Sequence, residues 1–93
     1  DLMGRLERRL LSITDQLEDL QEEERLLIEE LAYHRSLADD AARDAAVFDD
    51  PIERENAAMT SGDVKRSESR LQKLTDRRQK LETRRARLLE KLS

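Results

Sequence analysis

The chain has 93 residues, of which 43% are charged and only 2% aromatic, with one proline, two glycines and no cysteine. This length allows at most one domain, and such a composition is typical of long helices and argues against a sheet. The lack of cysteine excludes disulfides and thiolate metal sites. No signal-peptide pattern occurs, and no apolar run approaches the roughly 20 residues of a membrane span, so we expect a cytoplasmic protein.

Helix 1 is predicted over about residues 2–48, because apolar residues recur there in two series with a spacing of seven. The two series lie three or four residues apart, as positions a and d of a coiled coil do. The first series is Leu6, Ile13, Leu20, Leu27, His34, Ala41 and Phe48, and the second is Met3, Leu10, Leu17, Glu24, Leu31, Ala38 and Ala45.

A turn is predicted at residues 49–51, because Pro51 disfavours helical geometry in Asp50 and suits the first turn of a new helix. Asp50 is a good N-cap, and Glu53, three residues later, would complete a capping box.

Helix 2 is predicted over about residues 51–92, with a kink or short interruption at 60–63 as an alternative because Gly62 weakens a helix. Its seam is Leu71, Leu74, Arg78, Leu81, Arg85, Leu88 and Leu92, with a weaker extension to Ala57, Thr60, Val64 and Ser67.

The distribution of charge favours a chain that folds back on itself as one hairpin over residues 1–93. Residues 1–50 carry six Arg against fifteen Asp and Glu, and residues 51–93 carry twelve Lys and Arg against seven. Such a fold brings together residues whose numbers sum to about 100. The expected ion pairs are Glu23 with Arg77, Glu30 with Arg70, and Glu24 with Arg78.

The half of the hairpin next to the turn is expected to be thin and less stable than the leucine-rich half. Its facing residues are small: Ala38, Ala41, Ala42, Ala45 and Ala46 on helix 1 against Ala57, Ala58, Thr60, Ser61 and Gly62 on helix 2.

The sequence offers little for catalysis. A two-helix hairpin has no cleft in which two carboxylates could act as acid and base, and phosphate loops and nucleophile elbows are absent. The single His34 lacks a metal-ligand partner at a suitable spacing and is interpreted as a half-buried seam residue. Arg77-Arg78 and Arg84-Arg85-Arg87 could touch phosphates, but charge matching with helix 1 accounts for them, which argues against nucleic acid as a partner. We therefore expect no enzyme, no catalytic residue and no metal.

Several apolar residues lie outside the seam and indicate a docking surface for further helices. The candidate partner-binding residues are Leu26, Tyr33, Leu37, Val47 and Met59, with Ile28 and Leu89 as further examples of the surplus. The surface could bind another protein, or a second copy to give a four-helix bundle. Scattered exposed leucines are the alternative.

The segment Leu31–Leu37, with the sequence LAYHRSL, resembles the RsiG family of actinobacterial anti-sigma factors. That resemblance implies an antiparallel helical pair that binds a sigma factor and a cyclic di-GMP dimer. The family's ligand motif is Glu-x3-Ser-x2-Arg-x3-Gln-x3-Asp on each helix. Here helix 1 keeps only Arg35 of this motif, whereas helix 2 keeps Ser67, Arg70 and an acidic residue at Asp63. The resemblance makes Arg35, Ser67 and Arg70 candidate cyclic di-GMP ligands, but the motif's Gln and Asp are missing from both helices.

A second resemblance is to the coiled-coil hairpins with acidic tips that enter the secondary channel of RNA polymerase, with Asp49-Asp50 as the tip. The leading prediction is an antiparallel two-helix coiled-coil hairpin, all-α, acting as a protein-interaction module of the anti-sigma kind without a cofactor. Its expected partner is a sigma factor or RNA polymerase. The alternatives are a self-assembling structural coiled coil and a cyclic di-GMP sensor.

Overall fold

The structure is a computed structural model that describes residues 4–93. Helix α1 spans Arg5–Phe48 and helix α2 spans Pro51–Leu92, and the described range contains no strand. The two helices pack against each other, which confirms an all-α helical hairpin. The expected helix start near residue 2, like the seam residue Met3, lies outside the described residues.

The turn consists of two aspartates with different roles. Asp49 has a backbone φ of 45°, a left-handed conformation that Asp tolerates better than most residues. Asp50 caps α2, because its Oδ1 accepts a hydrogen bond of 2.9 Å from the backbone N–H of Ile52. The expected capping box is incomplete, since Glu53 makes no hydrogen bond within the described residues. Arg54 instead reaches back, and its Nη1 lies 2.7 Å from Asp49 Oδ1.

The chain divides into two compact units, which we call the base unit (residues 1–25 and 73–93) and the tip unit (residues 26–72). In the base unit the core is made by leucines and one isoleucine from both helices. Its buried members are Ile13, Leu17, Leu20, Leu81 and Leu88, with Leu6, Leu10 and Leu74 packed against them. At about 1.5–3 kcal/mol for each fully buried side chain, these residues supply most of the stability of the base unit.

The tip unit buries less. Leu27 and Leu31 are its buried apolar residues, and Ser67 on α2 is its buried polar residue. The seam alanines Ala38, Ala41, Ala45 and Ala57 are only half-buried. The expectation of small facing residues was too broad, because Ala42, Ala46, Ala58 and Ser61 are exposed. These four lie outside positions a and d, so the facing helix does not cover them.

The burial pattern follows the two heptad series except at the helix ends. Phe48 and Leu92 were expected in the seam, but they are 65% and 46% exposed. Each is the last residue of its helix, so no further turn of its own helix flanks the side chain. Residues 60–63 are helical, and the alternative of an interruption there is wrong.

Candidate functional site

The first candidate site is an exposed surface on α1 in the tip unit, formed by Leu26, Tyr33 and Leu37, which we call the α1 apolar face. These positions are seven and four residues apart, so they share one side of the helix. They are 51%, 63% and 38% exposed, respectively. Because Leu27 and Leu31 already fill the seam beside them, the hairpin itself provides no cover for this face.

Other apolar residues of the tip unit are also exposed. The expected partner-binding residues Val47 and Met59 are both exposed, as is Ile28. Sequence reasoning missed Ile52, which is 66% exposed directly after the turn. Its signal was available, since Ile52 and Met59 are seven residues apart on α2 and both lie outside the seam.

The second candidate site is a small groove around His34 in the tip unit, with a volume of about 210 Å³. His34 is half-buried, as expected, and its Nε2 lies 3.4 Å from Glu30 Oε1. Its Nδ1 is buried and makes no hydrogen bond within the described residues. The groove is lined by Glu30, His34, Asp63, Arg66, Ser67 and Arg70.

The groove brings together two of the three candidate cyclic di-GMP residues. Ser67 and Arg70 line it, although Ser67 is buried. Arg35 does not line it, and its Nη2 lies 3.4 Å from Glu68 Oε1 on the other helix. The expected Arg70–Glu30 ion pair is not formed, and Glu30 instead contacts His34 one turn further along its own helix.

A polar layer interrupts the core of the base unit. Arg78 Nε donates a hydrogen bond of 2.7 Å to Glu24 Oε1, and the Thr75 hydroxyl donates one of 3.3 Å to Glu24 Oε2. The expected Glu24–Arg78 pair is thereby confirmed. Hydrogen bonding to Glu24, and then to Glu82, raises the pKa of Arg78 above its ordinary value. A slipped alignment of the two helices would leave the buried Glu24 without these partners, so the layer favours the observed register.

The charge matching expected along the rest of α2 is largely absent. Arg77 makes no ion pair with Glu23 or with any other residue between 4 and 93, and the same holds for Arg84 and Arg87. Arg84 and Arg87 line an open groove of about 560 Å³ along the outside of α2 in the base unit, together with Asp76, Gln79, Lys80 and Thr83. The exposed basic side chains of this segment therefore remain available to other molecules.

Within residues 4–93 no cluster of three or more His, Cys, Asp or Glu side chains has an arrangement suitable for a metal ion. Neither helix, over the same range, contains a stretch apolar enough to span a lipid bilayer. Comparison with protein-family models, with curated proteins and with solved structures gave no match.

Proposed function

We propose that this protein is a non-catalytic interaction module that binds a protein partner through the α1 apolar face. The observation that supports this proposal is the exposure of Leu26, Tyr33 and Leu37 beside a seam that is already filled. Apolar residues spaced by four and seven on one helical face are typical anchors for a helix that docks into an apolar groove, and tyrosine is among the residues enriched at binding hot spots. Exposure of such a contiguous set is unfavourable unless something covers it.

The most specific form of the proposal is an actinobacterial anti-sigma factor, acting in the cytoplasm, whose partner is a sigma factor. The resemblance of Leu31–Leu37 to the RsiG family supports this, because Tyr33 and Leu37 of the α1 apolar face lie inside that segment. The charge around the face supports it as well, since Glu30, Asp40 and Asp44 lie on the same side of α1. An apolar strip bordered by carboxylates suits a partner with a basic, nucleic-acid-binding surface, which sigma factors have.

The test is affinity capture from an extract of the native host, with mass spectrometry of the captured proteins. Three baits are compared: the unaltered chain, Tyr33→Ala/Leu37→Ala, and a control, Ile28→Ala/Leu89→Ala, which removes two exposed apolar side chains away from the face. We expect a sigma factor or an RNA polymerase subunit with the first and third baits and its loss with the second. Capture that survives Tyr33→Ala/Leu37→Ala would refute the assignment of this face.

Self-assembly is the second candidate, because a second copy could cover the same face and form a four-helix bundle. Light scattering at increasing protein concentration separates the two functions. A dimer that Tyr33→Ala/Leu37→Ala dissociates would replace partner binding as the explanation of the face. A monomer at every concentration would leave the partner proposal in place.

The third candidate is a cyclic di-GMP sensor, and it is supported by Ser67 and Arg70 lining one groove. It requires Arg35 to leave Glu68 and Ser67 to become accessible. Titration calorimetry tests it directly, because bound nucleotide would release heat that Arg35→Ala or Arg70→Ala abolishes. An absence of heat would eliminate this function.

A further inference from the structure

Six basic side chains follow one another along a single side of α2 in the base unit, and we call them the cationic flank. They are separated alternately by four and three residues, the spacing that keeps side chains on one side of a helix. At about 1.5 Å per residue, the flank is roughly 27 Å long. Its members are Lys73, Arg77, Lys80, Arg84, Arg87 and Lys91.

All six side chains are exposed, and none of them makes an ion pair with any residue from 4 to 93. The arginines of the tip unit behave differently. Four of them lie against a carboxylate, at distances of 3.4 Å for Arg35 and 2.7 Å for Arg54 and in close contacts for Arg43 with Asp40 and Arg66 with Asp63. The flank thus concentrates cations that the protein itself does not neutralise.

The composition of the flank indicates the class of molecule that would neutralise it. Protein interfaces are built around apolar or aromatic anchors and are depleted in lysine. The groove beside the flank is lined by no apolar side chain, since its lining residues are Asp76, Gln79, Lys80, Thr83, Arg84 and Arg87. Surfaces that bind nucleic acid are much more positively charged, and phosphate contacts supply most of their affinity. A row of cations without an anchor therefore fits a polyphosphate better than it fits a protein.

The groove beside the flank adds one neutral hydrogen-bond donor. The amide of Gln79 lines it together with Lys80, Arg84 and Arg87, and amides are common phosphate ligands. Thr83 and Asp76 also line the groove, but the Thr83 hydroxyl already donates to the backbone carbonyl of Gln79. No aromatic residue lies between 73 and 93. Because single-stranded binders stack bases on aromatic rings, this surface favours the regular backbone of a duplex.

We propose that the cationic flank binds the phosphate backbone of double-stranded nucleic acid without reading its sequence. The proposal does not depend on the α1 apolar face, which lies in the tip unit. It also reverses the expectation that pairing with helix 1 accounts for the basic stretch, because the structure lacks those pairs. A straight helix follows a duplex over a limited length, so we expect four to six of the six cations to contact phosphates at once.

The test is fluorescence anisotropy of a labelled duplex DNA of about 20 base pairs, titrated with the full chain at salt concentrations from about 50 to 200 mM. At about 0.9 per phosphate contact, we expect log K to fall linearly with log salt with a slope of about −3.6 to −5.4, a loss of affinity of roughly 150-fold to 1,800-fold over this range. The variant Lys80→Gln/Arg84→Gln/Arg87→Gln should make the slope shallower by about 2.7, at 0.9 for each lost contact.

The matched control is Arg35→Gln/Arg43→Gln/Arg54→Gln, which removes the same charge from the tip unit and should leave the slope unchanged. Circular dichroism of both triple variants checks that they remain helical. Equal weakening by the two variants would overturn the proposal, because it would show a response to net charge alone. Absence of binding at the lowest salt would also overturn it. So would equally tight binding of polyglutamate at matched charge, since the flank would then be a site for acidic peptides.

Discussion

The identical substitution of leucine by alanine should destabilise the protein strongly at Leu20 and hardly at all at Leu26. Leu20 is 4% exposed in the core of the base unit, whereas Leu26 is 51% exposed on the α1 apolar face. Replacing a buried leucine usually costs about 2–5 kcal/mol, which includes a term for the cavity that remains. A two-helix layer can partly close around the smaller side chain, so we expect about 2–3 kcal/mol for Leu20→Ala.

At Leu26 the side chain is half in solvent before the change, and alanine favours a helix slightly more than leucine does. Leu26→Ala should therefore change the free energy of unfolding by less than about 0.5 kcal/mol. A domain of this length is stable by about 5–14 kcal/mol, so Leu20→Ala removes a substantial part of the total. With a urea m-value of about 1–1.5 kcal/mol/M, its unfolding midpoint should fall by about 2 M.

The assay is urea unfolding followed by circular dichroism of the helices, at two protein concentrations a hundredfold apart. Equal shifts for the two variants at both concentrations would refute the assignment of Leu20 to the core and Leu26 to the surface. If Leu26→Ala lowers the free energy of unfolding by an amount that grows with protein concentration, a second copy covers the α1 apolar face, since association makes stability depend on concentration.

Three further predictions concern polar contacts and a glycine. Glu24→Leu should lower the urea midpoint of unfolding, because Arg78 loses its partner in the seam. The double variant Glu24→Leu/Arg78→Leu should recover that midpoint, since an apolar layer can replace a buried ion pair. A double variant less stable than Glu24→Leu would contradict this. The hydrogen bond from Arg25 holds the pKa of Glu22 below its ordinary value. The stabilisation that this ionised pair gives the folded state is therefore complete at a pH above the ordinary pKa of Glu22, and it is lost as the pH falls through the lowered pKa. NMR titration should show that pKa rising in Arg25→Gln. Gly62→Ala should stabilise α2 by about 1 kcal/mol in thermal unfolding, because a Cβ at this position meets only the flexible end of Arg66; a loss of stability would show that the neighbouring backbone is tighter than described.

The fold could be predicted from the sequence because its main determinant is periodic. Residues such as Ile13, Leu17 and Leu81 repeat with the coiled-coil spacing, and each is buried. The Glu24–Arg78 pair was also predictable, because a charge inside a seam needs an opposite charge within reach. The turn followed from Pro51, whose ring restricts the residue before it and suits the first turn of a helix.

The exposed ion pairs could not be predicted, for an energetic reason. A surface ion pair contributes only about 0–1 kcal/mol to stability. Alternative partners for the same charged side chain therefore differ in free energy by about the thermal energy or less. Glu30 contacts His34 on its own helix instead of Arg70, and Arg35 pairs with Glu68 on the other helix, a contact that sequence analysis missed. Partner choice at such positions depends on rotamers that the heptad pattern does not encode.

The candidate site was predictable only as far as exposure is concerned. The heptad assignment leaves Tyr33 and Leu37 outside the seam, and the structure shows them uncovered. Whether another surface covers them depends on the shape and charge of that surface, which the heptad pattern does not encode. The candidate nucleotide residues Arg35, Ser67 and Arg70 illustrate the same limit, because a motif position places a side chain on a helix without determining whether it is accessible.

The charge asymmetry between the two halves of the chain needs an explanation beyond the fold. If it served mainly to hold the helices together, its ion pairs would join α1 to α2. Glu24–Arg78 and Arg35–Glu68 do so, but the pairs at Arg43 and Arg66 each lie within one helix. The apolar core already accounts for the pairing of the helices, and the cationic flank has no carboxylate partner within residues 4–93. The asymmetry therefore divides the outer surface, placing carboxylates around an apolar face on α1 and unneutralised cations along α2. Two surfaces of opposite charge on one small scaffold suit two chemically different partners, a basic protein at the first and a polyphosphate at the second.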